Sequence, residues 1–420
     1  MREVGAPWSA WNVVIGFGTV SLAVDLVADG ARSVAGPLLG QLGATALVVG
    51  LVTGTAEALG FVLRLVSGPA VDRTKRYWGF TIGGYALTGL SVPLLAFTPF
   101  LGAVGLTAAA TLIIVERVGK AIRSPAKTVL LAYAAGAVGR GRGFAVHKVL
   151  DQVGAFLGPL LVAAIIALTG VIWPAFAVLA IPALVALWLL LWMRHRIPDP
   201  SVYEPSVSEP IVQEPPAQAT PSDSGARLPA TSPRGGLSLT FLLFSVSTGL
   251  TTFGLVGFGV ISFHLTDSRL LPVAAVPLVF AAGMAAAAVA ALGTGRIYDR
   301  IGAAVLISVP VLAAGVPALS LSASLPGMVI GVVLWGAATG IQDSTVKALV
   351  ADLVSAPRRG TAYGVFAVVQ GTGTFAGAAL AGGLYPDVGL LSLITVPAQI
   401  AAVVLLTVVA RGQRRASTEP

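Results

Sequence analysis

One apolar stretch in the first half of the chain carries Glu116, Arg117, Lys120, Arg123 and Lys127. Steps of four, three and four place Glu116, Lys120, Arg123 and Lys127 on one stripe of a helix. The next apolar stretch carries His147, Lys148, Asp151 and Gln152, with His147 and Asp151 again four residues apart. Asp25, Asp29 and Arg32 fall in or near the first such stretch, and Glu57 in the second. An ionisable group at the centre of a bilayer costs on the order of 3 kcal/mol even on a lenient scale, so each needs a partner or a task. A desolvated carboxylate beside a base can take up and release a proton, which makes Asp25, Glu57, Glu116 and Asp151 candidates for proton coupling. His147 joins them because its ordinary pKa, about 6.5, is easily moved across physiological pH. The competing assignment is that these acids only neutralise the neighbouring bases.

The bases have two readings as well. Arg117 and Lys120 lie deep in their stretch. Left unpaired, they would meet an anionic or zwitterionic solute; neutralised by Glu116 and Asp151, they would leave room for neutral or cationic amphiphiles. Arg123 and Lys127 lie nearer one end, from which they can snorkel to the surface. Arg32, Gln152 and Gln342 are further candidates for polar contact with a solute. Trp335, inside a stretch and beside Gly336, offers a face for stacking or for core packing. The remaining tryptophans (Trp8, Trp11, Trp78, Trp173, Trp188 and Trp192) sit mostly near stretch ends, as interfacial anchors do. The second half is poorer in charge, with His264, Asp267, Gln342, Asp343 and Lys347. The first half is therefore expected to carry ion coupling and most polar contacts, and the second a more apolar wall.

These groups must be positioned by membrane helices. With 56% hydrophobic and 10% charged residues the chain is too apolar for a water-soluble surface. Twelve stretches are long enough to cross about 30 Å of hydrocarbon, with cores at 11–29, 44–65, 79–98, 104–131, 143–167, 173–193, 237–263, 272–294, 303–323, 327–350, 361–384 and 389–410. They lack the alternation of barrel strands and carry many of the 50 glycines, which let membrane helices approach closely. The expected fold is an all-α membrane protein. Lys and Arg concentrate in one set of alternate loops, including Arg73, Lys75, Arg76, Arg140, Arg142, Arg296, Arg300, Arg358 and Arg359, and in the tail. The positive-inside rule then puts both termini in the cytoplasm and the chain in the cytoplasmic membrane. The formal charge of +8 is accounted for by that topology and by anionic lipid, and nucleic-acid binding gains no support from it.

Residues 197–236 turn abruptly polar and proline-rich, a composition for a disordered cytoplasmic linker. It separates an N-terminal six-helix bundle, 1–196, from a C-terminal one, 237–420, with a short basic tail. The halves repeat each other. Gly68, Asp72 and Arg73 recur as Gly295, Asp299 and Arg300, each set forming a Gly-x-x-x-Asp-Arg turn between apolar stretches. Arg140-Gly141 recurs as Arg359-Gly360, and the same offset carries Gly154 and Gly158 onto Gly373 and Gly377, a small-residue packing face in each half. Repeats of this kind, related by a pseudo-two-fold axis along the membrane normal, place a cavity between two bundles. Asp72 and Asp299 are expected to latch one conformation by pairing with a helix N-terminus or a base. Gly68 and Gly295 would allow spans two and eight to pack closely against spans eleven and five.

In these residues the chain resembles the major facilitator superfamily. The paired Gly-x-x-x-Asp-Arg turns are similar to that superfamily's cytoplasmic loop motif. Gly154-Ala155-Phe156-Leu157-Gly158-Pro159 is similar to the core of its antiporter motif, with Ala145 in place of Gly and Val162-Ala163 in place of a closing glycine pair. The run from Glu116 to Ala126 and the run from Gly30 to Pro37 are similar to an uncharacterised bacterial branch. The resemblance implies two six-helix bundles working by alternating access, a small-molecule substrate and, through the antiporter motif, proton-coupled efflux. The alternative is an organic-anion or lipid-handling permease without proton antiport.

No phosphate-cradling loop or serine-centred elbow is present, and the three histidines lack metal-ligand spacing. With no cysteine there is neither a disulfide nor a thiol nucleophile. No enzymatic activity, metal or cofactor is therefore expected. The expected partners are substrate, protons and membrane lipid, with the chain acting as a monomer.

Overall fold

The computed structural model describes residues 8–203, 237–346, 349–350, 353–354 and 358–416. Most of the expected linker, 204–236, lies outside them. Among the described residues, twelve helical segments are long and apolar enough to span a membrane. In the first half they are Ala10–Ser33, Ala46–Thr74, Tyr77–Phe100, Gly102–Val138, Gly141–Thr169 and Trp173–Arg196. In the second they are Leu239–Asp267, Val273–Tyr298, Gly302–Ser320, Leu325–Ser344, Thr361–Gly383 and Val388–Gly412. They are numbered here one to twelve.

Local chemistry starts several of them. Ser9, Thr45, Ser238 and Ser324 each accept a hydrogen bond from the backbone amide three residues on, satisfying a donor that the first helical turn leaves free. The repeated turn ends spans two and eight with a positive φ in each. Three residues after Asp72 the chain turns at Lys75 (φ 52°, ψ 17°), a left-handed conformation with a steric cost for lysine. Three after Asp299 it turns at Gly302 (φ 64°, ψ −150°), a conformation open essentially to glycine alone.

Spans two and four run well past their apolar cores, to Thr74 and Val138, because a helix that leaves the hydrocarbon keeps its own backbone hydrogen bonds. Span seven is two helices, Leu239–Gly254 and Phe258–Asp267, joined by Leu255, Val256 and Gly257. Span ten ends in a π-helical turn, Gln342–Val346.

Each half is held by its small-residue face. A Cβ added at Gly154 or Gly158 of span five would collide with the carbonyls of Leu22 or Leu26 of span one. One at Gly373 or Gly377 of span eleven would collide with those of Gly249 or Phe253 of span seven. Pro159 is buried within span five. Where lipid gives helices no apolar reason to associate, such backbone-to-backbone contact maximises dispersion.

The halves meet most tightly at the end away from the Asp-Arg turns. There Gly36 is packed against Gly259 and Ser262, Gly50 against Ala378, and Gly382 against Ala46, none with room for a Cβ. Phe263 of span seven enters a core otherwise formed by first-half residues such as Val34, Leu38 and Leu39. At the opposite end the interface is slack. No heavy atom lies within 4 Å of a Cβ built at Gly60, Gly68, Gly293 or Gly295. The close approach expected at Gly68 and Gly295 is thus absent at these two positions in this conformation, although one turn earlier Leu65 of span two still meets Gly364 of span eleven.

Candidate functional site

Between the bundles lies a cavity of about 400 Å³. Its wall runs from Arg32 and Phe258 near the closed end to Lys127, Lys148 and Asp343 toward the slack end. The Lys148 side chain is 65% exposed there. A smaller apolar chamber of about 70 Å³ adjoins the closed end and shares Arg32, Glu57, Arg117 and Phe258 with the cavity.

Glu57 is the hub of the polar wall. Its Oε1 lies 2.7 Å from Arg32 Nη2 and 3.0 Å from Arg117 Nη2, tying span two to spans one and four. Glu116 pairs with its neighbour Arg117 at 3.3 Å, borders only the apolar chamber and keeps its buried Oε1 without a hydrogen-bond partner among the described residues. Arg32 also approaches Asp29 at 4.0 Å and lies 5.9 Å from the centre of the Phe280 ring in the other bundle.

A second group lies farther along the wall. Asp25 is 3.7 Å from Arg123, whose guanidinium stacks 4.3 Å over the Tyr85 ring. Asp151 accepts from Lys148 Nζ at 2.8 Å. Asp25 and Asp151 adjoin across spans one and five, close enough to act on each other, and neighbouring carboxyl groups favour sharing one proton. Lys127 donates to Ser21 Oγ at 3.0 Å, and Ser21 in turn lies 3.0 Å from His147 Nε2 and 3.3 Å from Tyr85 Oη.

Some expectations need correction. Arg123 and Lys127 do not snorkel: Arg123 is 4% exposed, both line the cavity, and span four continues about three turns beyond Lys127. His147 is buried behind the wall and does not line the cavity. Gln152 is exposed and lines neither chamber, standing about 100° around span five from Asp151. Asp72 and Arg73 are exposed, and Asp72 makes no ion pair among the described residues. Arg300 is exposed too, while the Asp299 side chain lies outside the described residues.

Lys120, Gln342 and Trp335 reach the wall as expected. Gln342 Nε2 donates to Thr252 Oγ1 at 3.1 Å across spans ten and seven. Trp335 is 3% exposed and packs against Phe258 and Phe280, ring centres 5.2 and 6.1 Å away, so core packing is its main contact. His264 and Asp267 lie away from the cavity, where both bond to Tyr385.

Sequence reasoning missed Arg64 and Gln370, which both line the cavity. Arg64 was detectable, because it lies seven residues after Glu57 and so on the same face of span two.

The Major Facilitator Superfamily model matches residues 19–377 and 278–419. The uncharacterized protein Rv2265 of Mycobacterium tuberculosis (strain ATCC 25618 / H37Rv) is 47% identical over 400 residues, spanning 95% of this chain and 93% of its own length. Among solved structures, a mutant of the nucleoside transporter NupG superposes with a TM-score of 0.70 at 12% identity, covering 94% of this chain and 99% of that one. A bacterial homologue of the iron transporter ferroportin, in an inward-facing state, gives 0.65 at 15% identity, covering 96% of this chain and 100% of the other.

Proposed function

Because this chain belongs to the Major Facilitator Superfamily, we propose that it is a secondary active transporter that exports a small organic solute by alternating access, driven by inward proton movement. The observation that carries this reading is the cavity between the halves, walled by ionisable groups, closed at one end by small-residue contacts and slack at the other. A solute enters from the slack end. Rocking of the bundles would close that end and separate Gly36 from Gly259 and Gly50 from Ala378.

The basic residues of the Asp-Arg turns mark the slack end as cytoplasmic under the positive-inside rule. The conformation described is then inward-facing, with both termini in the cytoplasm and the chain in the cytoplasmic membrane, acting as a monomer. Gly68 and Gly295 would make their close contacts only after the bundles rock. Asp72 and Asp299 would latch that second state, which accords with the exposure of Asp72 in this one. Alternating access then needs a protonation event linked to the rocking. The Asp25 and Asp151 pair supports that role. It faces the cavity, sets two acids side by side where they can share one proton, and touches a base on each side.

One observation favours a permease without proton antiport: Glu57 and Glu116 are both committed to Arg117. Purified protein in liposomes, with an internal pH dye and an imposed substrate gradient, separates the two. Substrate-dependent proton movement supports antiport. Substrate flux with no pH change would leave the permease.

A further inference from the structure

We infer that the ligand of this cavity is an organic anion with an apolar body, held at its acidic end by Arg64 and Lys120. The inference rests on the transport reading above, and names the class of solute carried.

The wall carries seven cationic side chains against four carboxylates. Every one of those acids is already engaged. Glu57 holds Arg32 and Arg117, Asp25 holds Arg123, Asp151 holds Lys148, and Asp343 has an interaction of its own. Lys127 is bonded to Ser21. Two bases are left over. Arg64 and Lys120 make no ion pair and no side-chain hydrogen bond among the described residues, and the Arg64 Nε is fully buried without an acceptor. A buried guanidinium donor facing a cavity lacks what a carboxylate or a phosphate monoester supplies in two-pronged geometry. A cationic ligand would find no free acid and two bases that lack an ion-pair partner among the described residues and feel Asp343, Glu57 and Asp25 only at longer range.

The break in span seven adds a second, independent attraction. The half-helix Phe258–Asp267 begins at the cavity wall, where Gly257 and Phe258 line it. The amides of Val260 and Ile261 bond the Gly257 carbonyl, which leaves those of Phe258 and Gly259 without an acceptor in their own helix, and the dipole places partial positive charge there. The same wall carries apolar side chains as well, Phe61, Leu255, Val256 and Trp335, and it continues past Phe258 into the apolar chamber. A ligand with an anionic end and a flat apolar body matches both parts.

The test uses the full-length protein purified in detergent and three probes of one shape: 2-naphthoate, its neutral amide and 2-naphthylmethylammonium. Melting-temperature shift and calorimetry report binding without requiring transport, so absence of proton flux bears on the transport reading and leaves this result standing. The expected outcome is binding of 2-naphthoate about tenfold or more tighter than the amide, with no binding of the ammonium ion. Arg64→Gln should remove that advantage and Arg64→Lys restore part of it. Should Arg64→Gln fail to fold, Lys120→Gln carries the same expected loss. Binding of none of the probes, equal binding of acid and amide, preference for the ammonium ion, or variants that keep the selectivity for the acid would each overturn the inference.

Discussion

Asp25 and Asp151 adjoin across the contact between spans one and five, and each faces a base, Arg123 at 3.7 Å and Lys148 at 2.8 Å. Neighbouring carboxyl groups favour sharing one proton and titrate as a unit. Either acid replaced by Asn keeps the shape and removes the shared titration. Asp25→Asn and Asp151→Asn should each cut proton-driven transport by about tenfold or more, in the range of ordinary coupling strengths. Solute exchange without a gradient should persist. The double variant should be no worse than either single one. Proteoliposome uptake at matched and opposed pH reads all three, and full gradient response in both single variants would remove the pair from the mechanism.

Glu57 balances two guanidinium groups, so its loss should be felt as instability before it is felt as transport. Glu57→Gln leaves Arg32 near Asp29 only at 4.0 Å and Arg117 with Glu116. Breaking a buried pair costs about 3–5 kcal/mol, and the partial exposure of Glu57 lowers that to about 2 kcal/mol. Glu116→Gln should cost less, since Glu116 already leaves Oε1 unpaired. Thermal melts of the two variants in one detergent give the order, and a more stable Glu57→Gln than Glu116→Gln would contradict it.

The twelve spans, the repeated turn and the duplicated glycine faces were legible because each is written in local pattern: length of apolar run, spacing, recurrence. The wall of the cavity was legible only in part. Helical periodicity placed Lys120 on a stripe but could not say that Arg123 finds Asp25 and Tyr85, since those partners come from other helices. Gln152 and Asp151 are adjacent in sequence yet fall on different sides of span five, and only the packing of that span fixes which side meets the cavity. The break at Leu255, Val256 and Gly257 has only a weak local signal in Gly254, Gly257 and Gly259, because glycine is common in membrane helices. The conformational state is not a property of the sequence, so the slackness at Gly68 and Gly295 could not be read from it.

Two glycines of the repeats should respond oppositely to an added side chain. Gly158→Val drives two methyl groups into the carbonyl of Leu26 and the backbone of Gly30. Overpacking of this kind costs about 1–3 kcal/mol or more, and should be seen as loss of folded protein on size exclusion. Gly68→Ala meets nothing within 4 Å, so its folding yield and melting temperature should match those of the parent. Its transport rate should fall, if the state with the cytoplasmic end closed brings span two against span eleven at that glycine. Undiminished transport by Gly68→Ala would remove the close approach from the cycle.

The closed end offers the most direct test of rocking, since the chain has no cysteine to confuse the chemistry. A Cβ built at Gly383 of span eleven lies 3.7 Å from Leu47 Cδ1 of span two, so the two positions face each other across the bundles with room for small side chains. Leu47→Cys with Gly383→Cys should therefore cross-link readily through a short bis-methanethiosulfonate, each thiol displacing a sulfinate to form a disulfide, in the conformation described. The tether holds shut an end that must open once in every cycle. Transport should fall to background on cross-linking and recover when the disulfides of the tether are reduced, while either single cysteine treated the same way keeps its activity. Ligand binding measured by calorimetry should survive the tether, because the cavity remains accessible from the slack end. Transport that continues at the parent rate in fully cross-linked protein would mean that the solute does not leave between spans two and eleven.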